Sequence, residues 1–428
     1  MMFKSSTVAL LVTTALASNA IASELKVETN KISTLANQES TQNGKDVRDA
    51  FSALKESSGV YLVTLSEKSA LDQSYAKLGN DRSPVIEKIE QQQQRVIELS
   101  RQLDANAVIT KKARLTENVL FVQLTHLAVE ELLVNNNVIS AELLSEEATH
   151  TSAEEFSKYP FLTVNNPGDA VTVAIIGSGI DYTHAALGGA GTVEAYEQAW
   201  KNKSNAWDGF PTETIIGGLD FSADSEGWHY IDYNPIAVAE DVNIEAGLVP
   251  SGTAIAAQVL AEAPDAKILY YKTYDWSSAY FYPVLDVVLD PNQDGNISDR
   301  PDVILINSYG DSAFYVEDDT QGSQATRDIS LTRRASAAGS LLVVGAGKTY
   351  YNSYFNLAWR AAVPEALTVG SVSIDGDNIT LAPYTPAGPV RGTQILKPEV
   401  VGPAENFNAP ITATGNEFAQ LPGHPGYA

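Results

Sequence analysis

The chain has 428 residues, of which 44% are hydrophobic and 19% are charged, a balance typical of a globular protein. Its 28 Lys and Arg residues against 53 Asp and Glu residues give a formal net charge of −25, which argues against nucleic acid as a partner because phosphates would be repelled. The sequence contains no cysteine, which excludes a disulfide scaffold, a thiolate zinc site and a cysteine nucleophile.

Residues 1–22 are predicted to be a signal peptide. Lys4 supplies a positive start, residues 8–17 form a short and mostly apolar run, and Ala20-Ile21-Ala22 is a small-x-small cleavage pattern. The apolar run is too short to span a bilayer, and no later run is long enough. We therefore expect an exported, soluble protein, secreted or periplasmic, with no membrane span.

A polar segment, residues 23–58, precedes a predicted small α+β domain over residues 59–144. Strand-like apolar runs and helical patterns are mixed in this domain, which indicates a sandwich of both element types. An acidic stretch at residues 145–159 is expected to be an exposed linker. The strands are predicted at 59–65, 118–125 and 138–144, and the helices at 84–103 and 126–136.

From residue 160 to residue 428 the pattern changes to apolar strands separated by helices. This pattern predicts an α/β domain with a doubly wound parallel sheet covered on both faces. In such sheets the site lies at the carboxyl ends of the strands, and Gly177, Ser308 and Gly347 lie at ends of this kind. The strands are predicted at 171–176, 267–274, 302–308, 341–347 and 366–373, with helices between them, for example at 253–263 and 329–339.

The first of these strands ends at Gly177-Ser178-Gly179, which resembles the start of a dinucleotide-binding loop. That loop needs a third glycine so that the helix packs close to the strand, and here the third position is Tyr182. The acidic residue that would bind a ribose is also not found, because residues 193–204 have the pattern of a polar helix. The sequence therefore argues against dinucleotide binding.

Residues 173–189, VAIIGSGIDYTHAALGG, instead resemble the aspartate-bearing strand of subtilisin-like serine peptidases (subtilases), whose pattern is V-A-V-I-D-T-G-I-D-Y-T-H. Residues 59–144 also resemble the propeptide domain of this family. The resemblance implies a subtilisin-like domain, an inhibitor-like propeptide as a partner in cis, and serine-type endopeptidase ancestry. The later landmarks of the family follow in order, as PSGTAIAAQVLAEAPDAKILYYKTYD (250–275), DVILINSYG (302–310), AGSLLVVGAGKTY (338–350), VPEALTVGSV (363–372) and LKPEVVGPAE (396–405).

The catalytic positions of the family are not retained. In subtilases Asp, His and Ser form the triad, and an Asn donates to the oxyanion. Matched residue by residue, the Asp position is Gly177, the His position is Ser251 and the Asn position is Lys348. The nucleophile of the family lies in a G-T-S-x-x-x-P segment after the LKPEVV strand, and the sequence contains no such segment before it ends at QLPGHPGYA. The resemblance therefore implies an inactive homologue whose peptidase domain is C-terminally incomplete.

Two alternatives to the inactive homologue remain open. The chain could be an active endopeptidase whose nucleophile segment lies beyond it or whose catalytic groups are unconventional, or it could be a truncated product without function. A substitute general base would have to be a histidine within reach of a nucleophile. Outside the propeptide unit and the linker the histidines are His184, which matches the histidine of the D-Y-T-H pattern, His229 and His424.

Peptide binding does not need a triad. Ser308, Tyr309 and Gly310 match the family's substrate-pairing strand, and strand addition uses main-chain groups. An extended peptide or a protein segment is therefore a candidate ligand. The alternative explanation is that this strand persists only because a buried parallel sheet requires it.

A second candidate site is the loop DPNQDGNISD at residues 290–299. Oxygen-bearing side chains alternate along it, and Gly295 stands at the sharp turn, as in calcium-binding loops. The usual carboxylate at the twelfth position is replaced by Pro301, so Asp299 or Asp302 would have to close the shell. The alternative is an Asp/Asn/Gly turn without a cation. The predicted Ca²⁺ ligands are Asp290, Asn292, Asp294, Asn296 and Asp299.

Overall fold

A computed structural model of the protein describes residues 57–145, 170–202, 208–221, 233–237, 251–273, 278–306, 324–347 and 355–405. These residues fall into two compact units. The first unit holds the described residues up to Ala70 and those from Val85 to 145. The second holds residues 71–84 together with the described residues from 170 onward, so that the stretch from Leu71 to Pro84 belongs with the second unit although it lies within the predicted N-terminal domain.

The first unit is an α+β sandwich. Its antiparallel sheet has the order β2-β3-β1-β4. The inward-facing apolar side chains of the strands, among them Val63, Leu120 and Val122, form a core with Val96 and Leu132 from the helices. The elements are β1 (Ser58–Leu65), α1 (Ser83–Leu103), β2 (Val108–Ala113), β3 (Val119–Thr125), α2 (His126–Leu132) and β4 (Val138–Ser145). The first two residues of α1, Ser83 and Pro84, are grouped with the second unit.

Helix α1 shows how the sequence builds this unit. Pro84 is tolerated at the start of the helix because the first N–H groups have no partner within it. Ile86, Ile89 and Val96 recur at helical spacing and are all buried. Gln93, which is also buried, donates to the carbonyl of Ala113 at 2.8 Å and so ties the helix to β2.

The second unit contains an eight-stranded sheet with the order β11-β10-β9-β8-β5-β7-β6, and β12 pairs with β10. All pairings are parallel except that of the β10–β11 hairpin. The elements are β5 (Thr172–Gly177), α3 (Val193–Lys201), β6 (Ile215–Asp220), α4 (Gly252–Glu262), β7 (Lys267–Lys272), α5 (Ser278–Leu289), β8 (Val303–Ile306), α6 (Gln324–Ala337), β9 (Leu341–Gly345), β10 (Leu367–Asp375), β11 (Asn378–Leu381) and β12 (Val400–Glu405).

Strand β5 lies at the centre of this sheet, between β7 and β8, and all six of its residues are buried. The chain runs from β5 to β6 and β7 on one side and then crosses to β8, β9 and β10 on the other. The order of the strands therefore reverses beside β5, and open α/β sheets bind ligands beyond the carboxyl ends of the strands at such a point. The predicted doubly wound α/β fold with a preceding α+β region is confirmed.

The predicted elements differ from the observed ones mainly at their ends. Helix α2 ends at Leu132 rather than at 136, and α6 begins at Gln324, five positions earlier than predicted. Strands β2, β6 and β11 and helix α5 were not among the predicted elements. In the described part of the chain, no helix is both long enough and apolar enough to cross a membrane.

Candidate functional site

The turn that follows β5 begins at Gly177, which pairs with Lys272 on β7. The carbonyl of Gly177 accepts a hydrogen bond from the Thr273 N–H at 2.8 Å, so its backbone is fixed by the neighbouring strand. A Cβ added to Gly177 would lie 2.6 Å from the Tyr270 Oη and 3.5 Å from the Tyr270 Cζ. A side chain at position 177 would thus be directed at the tyrosine hydroxyl.

Tyr270 is fully buried in the core of the second unit. Its hydroxyl donates to the carbonyl of Gly179 at 2.9 Å and accepts from the N–H of the same residue at 3.0 Å. The hydroxyl therefore satisfies both backbone polar groups of one residue in the turn after β5. Burial of these groups without a partner would be costly, so the tyrosine stabilises the turn.

Helix α4 begins beside the same turn. A Cβ added to Gly252, its first residue, would overlap both the Tyr270 Oη and the carbonyl oxygen of Gly179. Thr253 accepts a hydrogen bond from the Asp181 N–H through its Oγ1 at 2.9 Å. The end of β5 and the start of α4 are thus packed together around one hydroxyl, which brings the Gly177 and Ser251 regions together. Ser251 precedes the helix and makes no side-chain capping hydrogen bond.

A buried ion pair lies at the same end of the sheet. The Lys272 Nζ is 2.8 Å from the Asp220 Oδ2, and the two side chains are 4% and 8% exposed. The Lys272 Nζ also donates to the carbonyl of Ile236 at 3.2 Å. Because β6 and β7 pair with Asp220 opposite Lys272, the register of the sheet itself brings the two charges together.

The histidine of the D-Y-T-H pattern has a local structural contact. His184 accepts a hydrogen bond from the Ala186 N–H through its Nδ1 at 3.0 Å, at the start of a short 3-10 helix. The other two candidate bases, His229 and His424, lie outside the described residues. Lys348 and the predicted substrate-strand residues Ser308, Tyr309 and Gly310 also lie outside them, and their roles stay predictions.

The comparison with protein families matches the model of the Subtilase family to residues 168–426, well over half of the chain. The chain belongs to the subtilase family. The resemblance inferred from the motifs is therefore confirmed, and the second unit is a subtilisin-like peptidase domain by descent. A comparison with curated proteins gives no match.

Solved structures similar to this subtilase are serine peptidases of low sequence identity. An epidermin leader peptide processing serine protease from Staphylococcus aureus is 13% identical, with a TM-score of 0.40, over 81% of this chain and 75% of that chain. A mutant of the same protease is also 13% identical, with a TM-score of 0.41, over 77% and 73%. A Pseudomonas sedolisin, a serine-carboxyl proteinase, is 15% identical, with a TM-score of 0.32, over 56% and 68%.

The predicted calcium loop of this subtilase is held by its own side chains. Asp290, which is buried, accepts from the Gly295 N–H at 3.0 Å, and the Asn292 Oδ1 accepts from the Asp294 N–H at 2.9 Å. Asp299 accepts from the Asn292 N–H at 3.2 Å and so closes the loop. The alternating oxygens of the sequence therefore all lie on one compact turn.

The carboxyl group of Asp299 lies in a polar but partly desolvated place. Its Oδ1 is buried and has no hydrogen-bond partner. Burial raises the pKa of Asp299 above its usual value, and the Asn292 N–H only partly opposes this shift. Burial also raises the pKa of Tyr271 far above its usual range, and the negative charges of Asp299 and Asp290 add to that shift.

Among the described residues, no group of three or more His, Asp or Glu side chains is arranged to hold a metal ion. A cation at this loop would therefore need the amide oxygens of Asn292 and Asn296 as well as carboxylates. Motif reading identified these residues, but it did not identify Tyr270 or the Asp220–Lys272 pair. Their positions follow from the strand register, which a single sequence does not reveal.

Proposed function

We propose that this subtilase is an exported peptidase homologue that does not cleave peptide bonds. The observation that carries the proposal is at the end of β5, where the Asp position of the family is Gly177 and the Tyr270 hydroxyl lies where a side chain would begin. No carboxylate at position 177 is available to orient a general base. Ser251 and Lys348, at the His and oxyanion positions, support the same conclusion, because serine is not a base near neutral pH.

The size of the chemical deficit supports this proposal. In subtilisin itself, removing the triad lowers kcat about 10⁶-fold, which corresponds to about 8 kcal/mol of transition-state stabilisation. Losing an oxyanion donor costs a further factor of about 10²–10³. A lysine at the donor position is a poor replacement, because its long side chain is not preorganised.

The direct test is labelling of the purified protein with a serine-directed fluorophosphonate, combined with a casein cleavage assay. An active subtilisin-like peptidase serves as the positive control, and the heat-denatured protein serves as the negative control. We expect no labelling above that of the denatured sample and no cleavage. Labelling at a single serine together with cleavage would overturn the proposal and favour an active endopeptidase with unconventional groups.

We further propose that the domain binds extended peptide through residues 308–310. Support comes from the sequence match to the substrate-pairing strand and from the central place of β8, which runs beside β5 up to Ile306. Fluorescence anisotropy with labelled casein-derived peptides measures this binding. We expect Tyr309→Pro, which removes a backbone donor, to weaken it at least tenfold, whereas the matched Tyr309→Ala variant retains it. Equal affinities for the two variants would contradict strand addition.

The loop at residues 290–299 is proposed to bind Ca²⁺. The support is its set of alternating oxygens, closed by Asp299, and the buried Asp299 Oδ1 without a hydrogen-bond partner. Calcium at about 100 times its Kd would stabilise the fold by about 2.7 kcal/mol, a rise in Tm of several degrees. Asp290→Asn should reduce this rise, whereas Asp377→Asn, in the β10–β11 turn, should not. An equal Tm in calcium and in chelator would remove the site.

A further inference from the structure

Three glycines surround the hydroxyl of Tyr270. The N–H and the carbonyl of Gly179 both form hydrogen bonds with the Tyr270 Oη. A Cβ added to either Gly177 or Gly252 would lie closer to the Oη than two non-bonded heavy atoms can approach. The tyrosine thus reaches the junction of β5 and α4 because none of these three positions carries a side chain. In subtilases, this junction is where the family's Asp and His positions meet.

The hydroxyl cannot easily move away from a new side chain. The ring is 0% exposed, and well-packed cores resist the insertion of even one methyl group. Moving the whole side chain so that the Oη leaves position 177 would also break both hydrogen bonds to Gly179, leaving a buried N–H and a buried carbonyl without that partner. A contact of 2.6 Å between the Oη and a Cβ at position 177 is therefore relieved only by displacing the tyrosine.

We infer that Tyr270 and Gly177 are an energetically coupled pair. The tyrosine hydroxyl occupies the space that a side chain at position 177 would need, and it hydrogen-bonds the backbone of Gly179 in the turn after β5. It therefore excludes any side chain from position 177. The end of the strand is repacked, so a carboxylate cannot be regained by substitution at position 177 alone. The meaning of this inference for catalysis rests on the proposed function. Its test measures stability only, so that its failure is distinct from a failure of the labelling experiment.

The test is a double-mutant cycle by thermal unfolding, with the variants Gly177→Ala, Tyr270→Phe and the combination of the two. Gly177 has a backbone conformation that alanine can adopt, so its substitution isolates the clash with the hydroxyl. We expect Gly177→Ala alone to lower Tm by about 3–8 °C. In the Tyr270→Phe background the same change should cost less than half as much, because the nearest remaining ring atom, Cζ, lies at an ordinary contact distance of 3.5 Å.

Two matched controls accompany the cycle. Gly345 ends β9 as Gly177 ends β5, and an added Cβ there meets nothing within 4 Å, so Gly345→Ala should leave Tm unchanged or slightly raised. Tyr271→Phe, one residue along β7, should not change the effect of Gly177→Ala. Equal effects of Gly177→Ala in both tyrosine backgrounds would overturn the inference. If Gly177→Ala does not fold, the inference requires that Gly177→Ala/Tyr270→Phe does, and failure of both would also overturn it.

Discussion

Replacing Lys272 with methionine would leave the Asp220 carboxylate buried without its cationic partner. The two charged atoms are 2.8 Å apart, and both side chains are more than nine-tenths buried. Removing one member of a buried ion pair typically costs about 3–5 kcal/mol, because the desolvation penalty of the remaining charge is no longer compensated. The lost hydrogen bond from the Lys272 Nζ to the carbonyl of Ile236 adds to this cost.

The assay is urea denaturation monitored by tryptophan fluorescence, which gives the free energy of unfolding. It reports on the chain after the first unit, since all five tryptophans follow residue 170 in the sequence and the two described ones, Trp200 and Trp359, lie in the second unit. A loss of about 3–5 kcal/mol corresponds to a fall in Tm on the order of 10 °C for a domain of this size. Glu197→Gln is the matched control, because it breaks the exposed Lys201–Glu197 pair and should change the free energy of unfolding by no more than about 0.5 kcal/mol.

A double variant distinguishes the energetic effect of the unpaired charge from that of altered packing. Asp220→Asn combined with Lys272→Met removes both charges, and it should recover at least half of the stability that Lys272→Met loses. The reasoning would be refuted if Lys272→Met cost less than about 1 kcal/mol. It would equally be refuted if the double variant were no more stable than the single one.

Three further outcomes are expected. Asn118→Ala should cost the first unit about 1–3 kcal/mol, measured by hydrogen exchange of its peptides, because the buried Asn118 amide bonds the Glu67 carbonyl and the Gln92 Oε1. Burial lowers the pKa of Lys112, so the unfolded chain binds this proton more tightly than the folded one. Stability of the first unit should therefore rise as the pH increases toward the ordinary lysine value of 10.5, and Lys112→Met should flatten that rise in chemical denaturation. The N-terminal unit should remain attached in protein from a protease-free host, and a mature N-terminus near Ser152 by mass spectrometry would contradict this.

The elements that could be predicted are those whose apolar pattern needs no long-range context. Strand β5 is buried on both faces, and α1 carries an apolar stripe at helical spacing, so both are evident in the sequence. Strand β6 contains Gly217 and Gly218, which weaken any strand pattern. A Cβ on Gly218 would overlap the backbone of Tyr270, so the glycine is required by a contact that the sequence does not show.

Other elements were hidden by residues that usually argue against them. Helix α5 contains Pro283, which ordinarily ends a helix, and β2 contains two consecutive lysines. Lys111 is nevertheless 4% exposed, because the tertiary structure places it inside the first unit. Tertiary packing overrides local propensity at these positions, and a single sequence gives no signal of that packing.

Part of the candidate site could likewise be predicted from the sequence, and part could not. The motifs predict that Gly177 and Ser251 stand at catalytic positions of the family, because the family pattern fixes where those positions fall in the chain. The side chain that fills the resulting space depends on the register of β5 against β7, which places Tyr270 opposite Ile175, two residues before the end of each strand. No spacing rule within the sequence connects residues 177 and 270.

The sheet explains why such changes at catalytic positions are compatible with the fold. The residues that stabilise the second unit, such as Ile175, Ile268 and Leu342, lie within the strands and are fully buried. The catalytic positions of subtilases lie at the ends of strands and at helix starts, where they contribute little to this core. A glycine at position 177 is therefore compatible with the packing of the core, and the Tyr270 hydroxyl satisfies the backbone of the turn that follows. The proposed loss of catalysis is thus compatible with the fold, because the core lies within the strands and the predicted catalytic positions lie at their ends.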